Sequence, residues 1–435
     1  MQLCSIMKKI SMWLAIALMM AMVTTGCSKS DDQDQPQDPD NPEVIPDDPL
    51  PNEGNERKFI SLTRGEEELV MSNNDFAFNL FRQANTGEES TILSPISITY
   101  ALGMLNNGAT GDTQAQINKV LGFGQAGADG INAFCQKMLT EAPNLDKLTK
   151  VMIANTIYMN KDYVLKPDFV DKAKTFYDAE PETRDFADGK TRDVINKWGN
   201  DHTEGMIPEV LTEEEFSPIA VSYLLNAIYF KGTWAEKFDK NNTKDETFKG
   251  YSAEKQVPMM RQEHTFNYME TDDCQALRLP YGNLAYRMTI LLPKEGKTIN
   301  DVLKTMTAET WQNYQIMGRA IVDLKLPRFE SKSDVNLKPI MSALGMPKAF
   351  NPGLADFSNF CNVPTYIDLM KQVAKIKLNE EGTEAAAVTV IGMEMTALEP
   401  SEPQHVQFFA NRPFLYVISE YSTGAIFFIG QYMGD

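Results

Sequence analysis

Residues 376–392, IKLNEEGTEAAAVTVIG, constrain the fold of this 435-residue chain more than any other stretch. The alternation of Ile376, Lys377, Leu378 and Asn379 suits a half-buried strand. Glu380 and Glu381 lead to Gly382, the residue type that lets a backbone swing through angles closed to other side chains. Thr383, Glu384, Ala385, Ala386 and Ala387 follow, then the β-formers Val388, Thr389, Val390 and Ile391. Glu and Ala are also strong helix formers, so a helix stays open on those residues alone. The β-branched run, with no proline before Pro400, favours a segment able to become strand along its length. Small side chains there are what a strand needs to slip between two strands that already neighbour each other.

At Glu380 to Ala387 the chain resembles the hinge of the serpins, the serine-protease inhibitors that insert a loop into their own sheet. Four further stretches resemble the same family in the same order. They are Leu93 to Phe123, Ile195 to Leu211, Leu224 to Phe238 and the closing FFANRPFLYVISEYSTGAIFFIGQ from Phe408 to Gln431. The resemblance runs from about residue 66 to the end. It implies an α+β fold: a single large domain with three β-sheets, eight or nine helices and an exposed reactive-centre loop. Composition agrees with one body, since no Pro/Ser/Gly linker interrupts the chain after residue 57 and 43% apolar residues suffice for a sizeable core.

The first residues read as a targeting segment. Lys8 and Lys9 precede an apolar run from Trp13 to Val23, too short to span a bilayer as a mature helix. Thr24-Thr25-Gly26-Cys27 resembles a bacterial lipoprotein cleavage site, although Thr24 stands where a leucine is usual. Residues 1–26 would then be the signal peptide and Cys27 the lipidated first residue; plain secretion with an incidental cysteine is the alternative. Residues 28–57 hold ten acids against Lys29 and Arg57 and are rich in proline, so they suit an extended spacer rather than a packed core. Asp31 and Asp32 resemble the surface-export signal of Bacteroidetes lipoproteins. The expected arrangement is a domain over 58–435 at the outer face of the outer membrane, with a secreted or periplasmic location as alternative.

The formal charge of −19 disfavours nucleic acid and anionic membrane surfaces as partners. Cys135, Cys274 and Cys361 are odd in number and widely spaced, so they read as small core residues or at most one pair. Gly122 to Gly127 fits GxGxxG by letter, but a helical stretch precedes it and Ala128, Asp129 and Gly130 read as a loop. His202, His264 and His405 have no partners at ligand spacing, and neither GxSxG nor HExxH occurs. No enzymatic constellation, metal or cofactor is expected. Asn241-Asn242-Thr243 reads as a polar turn.

Periodicity places a helix over Asp75 to Arg82, capped by Ser72-Asn73-Asn74, and a second opening at Ser94-Pro95. Ile117, Val120 and Leu121 mark a third, and Leu337 to Leu344 a fourth, stopped by Gly345. Strands are expected at Val151 to Met159, Leu224 to Phe230, Met288 to Leu292 and Val322 to Leu326.

The family resemblance also implies a mechanism. A serine or cysteine protease attacks the loop and forms an acyl-enzyme. The cut loop then enters the sheet, and ~15 residues of strand span ~50 Å, enough to carry the protease to the far pole of the domain. Counting seventeen residues from Glu380 puts the scissile bond between Thr396 and Ala397, with Met395 and Met393 as alternatives. No Lys or Arg lies between Leu378 and Asn411, which argues against trypsin-like targets and for elastase-like or subtilisin-like ones. The resemblance assigns Ser94, Ser97 and Asn226 to a hydrogen-bonded cluster beneath the sheet and Trp234 to the point where insertion begins. It pairs Arg328 with Glu380. Gln372 departs from the usual histidine, which argues against a protonation switch. The protein is expected to act as a monomer, and a non-inhibitory serpin-like scaffold acting as a surface binding lipoprotein is the competing reading.

Overall fold

The computed structural model describes residues 54–124, 126–383 and 404–435. Cys27, Glu384, Ala385, Ala386, Ala387 and the cleavage candidates Met393, Met395, Thr396 and Ala397 lie outside the described residues. Nine α-helices occur among the described residues: α1 (Arg64–Ala84), α2 (Pro95–Asn106), α3 (Gly111–Leu121), α4 (Gly127–Glu141), α5 (Pro167–Tyr177), α6 (Lys190–His202), α7 (Ile299–Thr305), α8 (Ala308–Asn313) and α9 (Leu337–Leu344).

Helix α1 begins well before the expected Asp75. Thr63 and Glu66 form a reciprocal capping box there, which satisfies two of the amides a helix start leaves orphaned. Asn73 and Asn74 are therefore not caps but buried mid-helix residues. Asn74 donates to the Gly424 carbonyl at 3.0 Å and accepts from the Ile426 amide at 3.0 Å, while Asn73 accepts from the Thr99 hydroxyl at 2.8 Å. Every residue of α2 is buried, as an all-round apolar helix requires. Gly122 closes α3 in the left-handed region at φ 71°, so the GxGxxG letters mark a helix exit. Ala128, Asp129 and Gly130, expected in a loop, form the first turn of α4. Asn241 and Asn242 lie in a short 3-10 turn capped by Asp239, and all three body cysteines are free and buried.

Two sheets organise the strands of the described residues. The six-stranded one contains β2 (Thr149–Asn160), β3 (Glu182–Arg184), β4 (Ser222–Thr233), β10 (Phe329–Asn336), β11 (Leu369–Asn379) and β12 (Gly382–Thr383), in the order β10-β11-β12-β4-β2-β3. The nine-stranded one contains β1 (Thr91–Leu93), β5 (Lys244–Lys249), β6 (Glu254–Glu270), β7 (Cys274–Tyr281), β8 (Tyr286–Pro293), β9 (Gly318–Pro327), β13 (Gln404–Phe409), β14 (Phe414–Glu420) and β15 (Ile426–Tyr432). It falls into two sections that share the 17-residue β6: one with β5, β9 and β13, the other with β7, β8, β14, β15 and β1. The three strand groups of the expected fold are thus joined into two continuous sheets. The main core includes α2 and both sheets. A second apolar cluster lies over β4 and β11, where Ile195 and Trp198 of α6 and the following Ile207, Val210 and Leu211 pack on Tyr223, Leu225, Leu369 and Val373.

Candidate functional site

The site is the seam between β4 and β11. These strands pair in parallel from Leu369↔Tyr223 to Lys375↔Tyr229. Beyond Lys375 they part. The chain turns through Glu380 and Glu381 and returns as β12, antiparallel to both: Thr383 faces Leu378 and Gly232, and Gly382 faces Asn379 and Thr233. The seam is closed at one end and wedged open at the other by two residues of the hinge.

Gly382 makes the wedge possible. Its φ is 141°, and a Cβ there would lie 2.1 Å from the Gly232 carbonyl oxygen. Neither the angle nor the approach suits another residue. Thr383 is fully buried, and its hydroxyl lies 2.8 Å from that of Tyr281. The first residue after Gly382 is therefore already inside the sheet. Burial pushes the Tyr281 phenol well up from its ordinary value.

Trp234 caps this end. Its ring stacks on Tyr281 with centroids 4.4 Å apart and planes 14° apart. Its indole nitrogen donates to the Asn379 carbonyl at 3.0 Å, and its backbone amide donates to Glu381 at 2.9 Å. The Glu380 side chain is 2% exposed, with Arg328 at 2.5 Å and the Thr243 hydroxyl donating at 2.7 Å. Burial alone would raise the Glu380 pKa, but these two hydrogen bonds outweigh it and hold the carboxyl below its ordinary value. Glu381 pairs with Lys240 at 2.9 Å and Lys237 at 3.0 Å, and hydrogen bonds from these lysines likewise depress its pKa.

Towards the closed end a polar row crosses the buried floor. Gln372 of β11, Asn226 of β4 and Asn155 of β2 are register partners, each at most 3% exposed. The Gln372 amide accepts from the Ser94 backbone N–H at 2.9 Å and donates to the Ser94 carbonyl at 3.1 Å and to Asn226 at 2.6 Å. Asn226 in turn donates to Asn155 at 2.7 Å and to the Ser97 hydroxyl. Ser94 thus takes part through its backbone rather than its hydroxyl. One primary amide satisfies both the donors and the acceptors around Gln372.

The structure brings together the sequence candidates Ser94, Ser97, Asn226 and Gln372 at one place and Trp234, Arg328, Glu380, Glu381, Gly382 and Thr383 at another. Sequence reading missed Asn155, Tyr281, Thr243, Lys237 and Lys240. A lone asparagine amid the apolar run of β2 was the one signal available for Asn155.

Comparison with known proteins follows the same lines. The family described as serpin (serine protease inhibitor) matches residues 71–434. Serpin B6 of Macaca fascicularis is 34% identical over 374 residues, covering 84% of this chain and 98% of the relative. The leukocyte elastase inhibitor of Equus caballus is 33% identical, with 84% and 99% covered. The native-state structure of tengpin, a thermophilic serpin, is similar with a TM-score of 0.78 at 28% identity over 87% of this chain and 97% of the other. Human thyroxine-binding globulin gives a TM-score of 0.76 at 28% identity, covering 84% and 98%. With a parted seam, a buried hinge threonine and matches over nearly the whole body, the chain belongs to the serpin family.

Proposed function

We propose that this serpin is a suicide-type protease inhibitor, trapping a serine or cysteine protease as an acyl-enzyme while its cleaved loop inserts between β4 and β11. The observation that carries this reading is the seam: the two strands are parted at one end, and the space is already occupied by Gly382 and Thr383. The residues that follow, Glu384 and three alanines, offer little bulk to obstruct further entry. A bait without Lys or Arg suits elastase-like or subtilisin-like proteases, with cleavage at Thr396–Ala397, or after Met395 or Met393. The similarity to a protein named leukocyte elastase inhibitor supports that choice.

Incubation with a protease panel tests this directly. Elastase-like or subtilisin-like enzymes should give SDS-resistant complexes, and mass spectrometry of the released C-terminal fragment should place the cut between Gly392 and Pro400. Efficient trapping of trypsin, or a cut elsewhere, would overturn the assignment. Clean cleavage by every protease without a complex would favour a ligand-binding scaffold instead.

The same proposal places the monomeric domain at the outer face of a bacterial outer membrane, held by lipid on Cys27 and spaced from it by residues 28–57. Cys27→Ser should release the protein into the soluble fraction. Fatty-acid labelling that persists in that variant would refute the anchor.

A further inference from the structure

The face of the six-stranded sheet covered by α6 carries a buried charge that the seam does not require. Lys371 of β11 has a side chain only 1% exposed. Its ammonium contacts Glu215 at 2.6 Å and Asp334 at 2.8 Å. Glu215 belongs to the connection between α6 and β4, and Asp334 to β10. The same connection is held from the other strand by Tyr223 of β4, whose hydroxyl accepts from the Ser217 amide at 2.7 Å and donates to the Ser217 carbonyl at 3.2 Å. Thr212 turns the segment back on itself, its amide donating to Glu215 at 3.0 Å. One short loop, residues 212–217, is therefore tied to both strands that must separate.

Insertion of a strand moves β4 and β11 from one strand spacing to two, a widening of ~4.8 Å. Apolar cover can slide across such a change, as packed helices do in shear motions. Directional ties cannot, because a hydrogen bond weakens steeply beyond its short range. Either the Tyr223 end or the Lys371 end must let go.

Asp334 makes the Lys371 end the releasable one. β10 pairs with β11 along its whole length, so Asp334 travels with Lys371 while Glu215 stays with the loop. On release the buried ammonium keeps one carboxylate and is not left as an unpaired ion, which would be the costly outcome. We propose that Lys371 is a positioning residue forming a releasable tie, and that the Glu215–Lys371 contact sets how fast the sheet opens. The proposal rests on the insertion mechanism above and adds its rate control.

The test measures uptake of a synthetic peptide with the sequence Thr383 to Thr396 by the uncut protein. Glu215→Gln and Tyr223→Phe, which loosen opposite ends of one staple, should each speed uptake at least about tenfold, the factor expected for a lost hydrogen bond to a charged or buried group. Their double variant should be no faster than the faster single. Asp334→Asn should slow uptake, because Lys371 then depends on Glu215 alone. Opposite signs at Glu215 and Asp334 separate a tie from mere structural support, whose loss would loosen the sheet in both. Equal rates in all variants, or the same sign at both acids, would overturn the tie. Wild-type protein that takes up no peptide and gains no heat stability when its loop is nicked would instead overturn the insertion mechanism itself.

Discussion

The closed and parted halves of the β4–β11 seam are built from the same two strands but held by different forces. The closed half has direct strand pairing and the row Gln372–Asn226–Asn155, all out of water. Removing one member there leaves its partners with unmet hydrogen bonds, a cost of ~1–3 kcal/mol each. The parted half relies on the Trp234–Tyr281 stack and on ion pairs whose cations reach solvent: Arg328 is 45% exposed and Lys240 66%. A fully exposed ion pair contributes only ~0–1 kcal/mol, and these half-exposed pairs contribute more where the carboxylate, as at Glu380, is buried. Under the proposed insertion mechanism, the difference sets where opening would start and where it would be resisted.

The sharpest way to break this contrast is to block the parted end. Thr383→Arg would force a charge among packed strands beside Tyr281, at a cost of several kcal/mol. Because Thr383 is already seated, β12 should be displaced before any cleavage. The variant should still be cut at the same bond, yet the yield of SDS-resistant complex should fall at least about tenfold. Glu384→Arg, which strand alternation would turn to the opposite side once the loop inserted, should keep most of the inhibition. Unchanged trapping by Thr383→Arg would show that strand insertion is not the mechanism.

Nicking the loop should convert the parted half into a copy of the closed half. Ten or so new ladder hydrogen bonds at ~1 kcal/mol each would raise stability by on the order of 10 kcal/mol, and the melting midpoint by on the order of 10 °C or more. Melting curves before and after limited cleavage decide it; an equal or lower midpoint means no insertion.

Gly382→Ala asks whether the wedge depends on one backbone angle. At φ 141° with a carbonyl oxygen in the path of any Cβ, the substitution should cost about 2–3 kcal/mol. The melting midpoint should drop by a few degrees, with a red shift of Trp234 emission as the hinge leaves the sheet. Emission that stays at the wild-type wavelength would remove the wedge from the account.

Acid should distinguish the halves most gently. Glu380 and Glu381 both have folded pKa values below the ordinary 4.5. Their stabilisation is therefore complete above that ordinary value and is lost as pH falls through the folded values. Trp234 fluorescence should report loosening of the hinge on acidification, while the Gln372–Asn226 row has no titratable group to respond. A Gln372→His variant should bring the closed half under pH control as well; a flat hinge profile below the ordinary carboxylate range would contradict the ion-pair account.

Much of the site was legible in the chain itself. The hinge letters, the Arg328–Glu380 pairing and the cluster members Ser94, Ser97 and Asn226 could be carried over because their motifs stand unaltered, Gln372 being the one departure. Other residues were misread for a common reason. Asn73 and Asn74 look like caps because asparagine is polar wherever it stands, and only their burial against Gly424 and Ile426 shows them to be core partners. The resemblance assigns Ser94 to the hydrogen-bonded cluster without saying which atoms take part; Gln372 engages its backbone.

What the sequence determined alone was local or periodic: a glycine where the chain must fold back, small residues after it, apolar runs of strand length and a helix opening at Ser94-Pro95. These follow from backbone sterics and from side chains repeating every two or 3.6 residues. Which residues meet across strands was decided only by the tertiary structure. A strand's alternation shows which side chains share a face, but pairing register is a long-range choice. That choice set Gln372, Asn226 and Asn155 in one row. It also placed Lys371, one residue earlier and so on the opposite face, between Glu215 and Asp334.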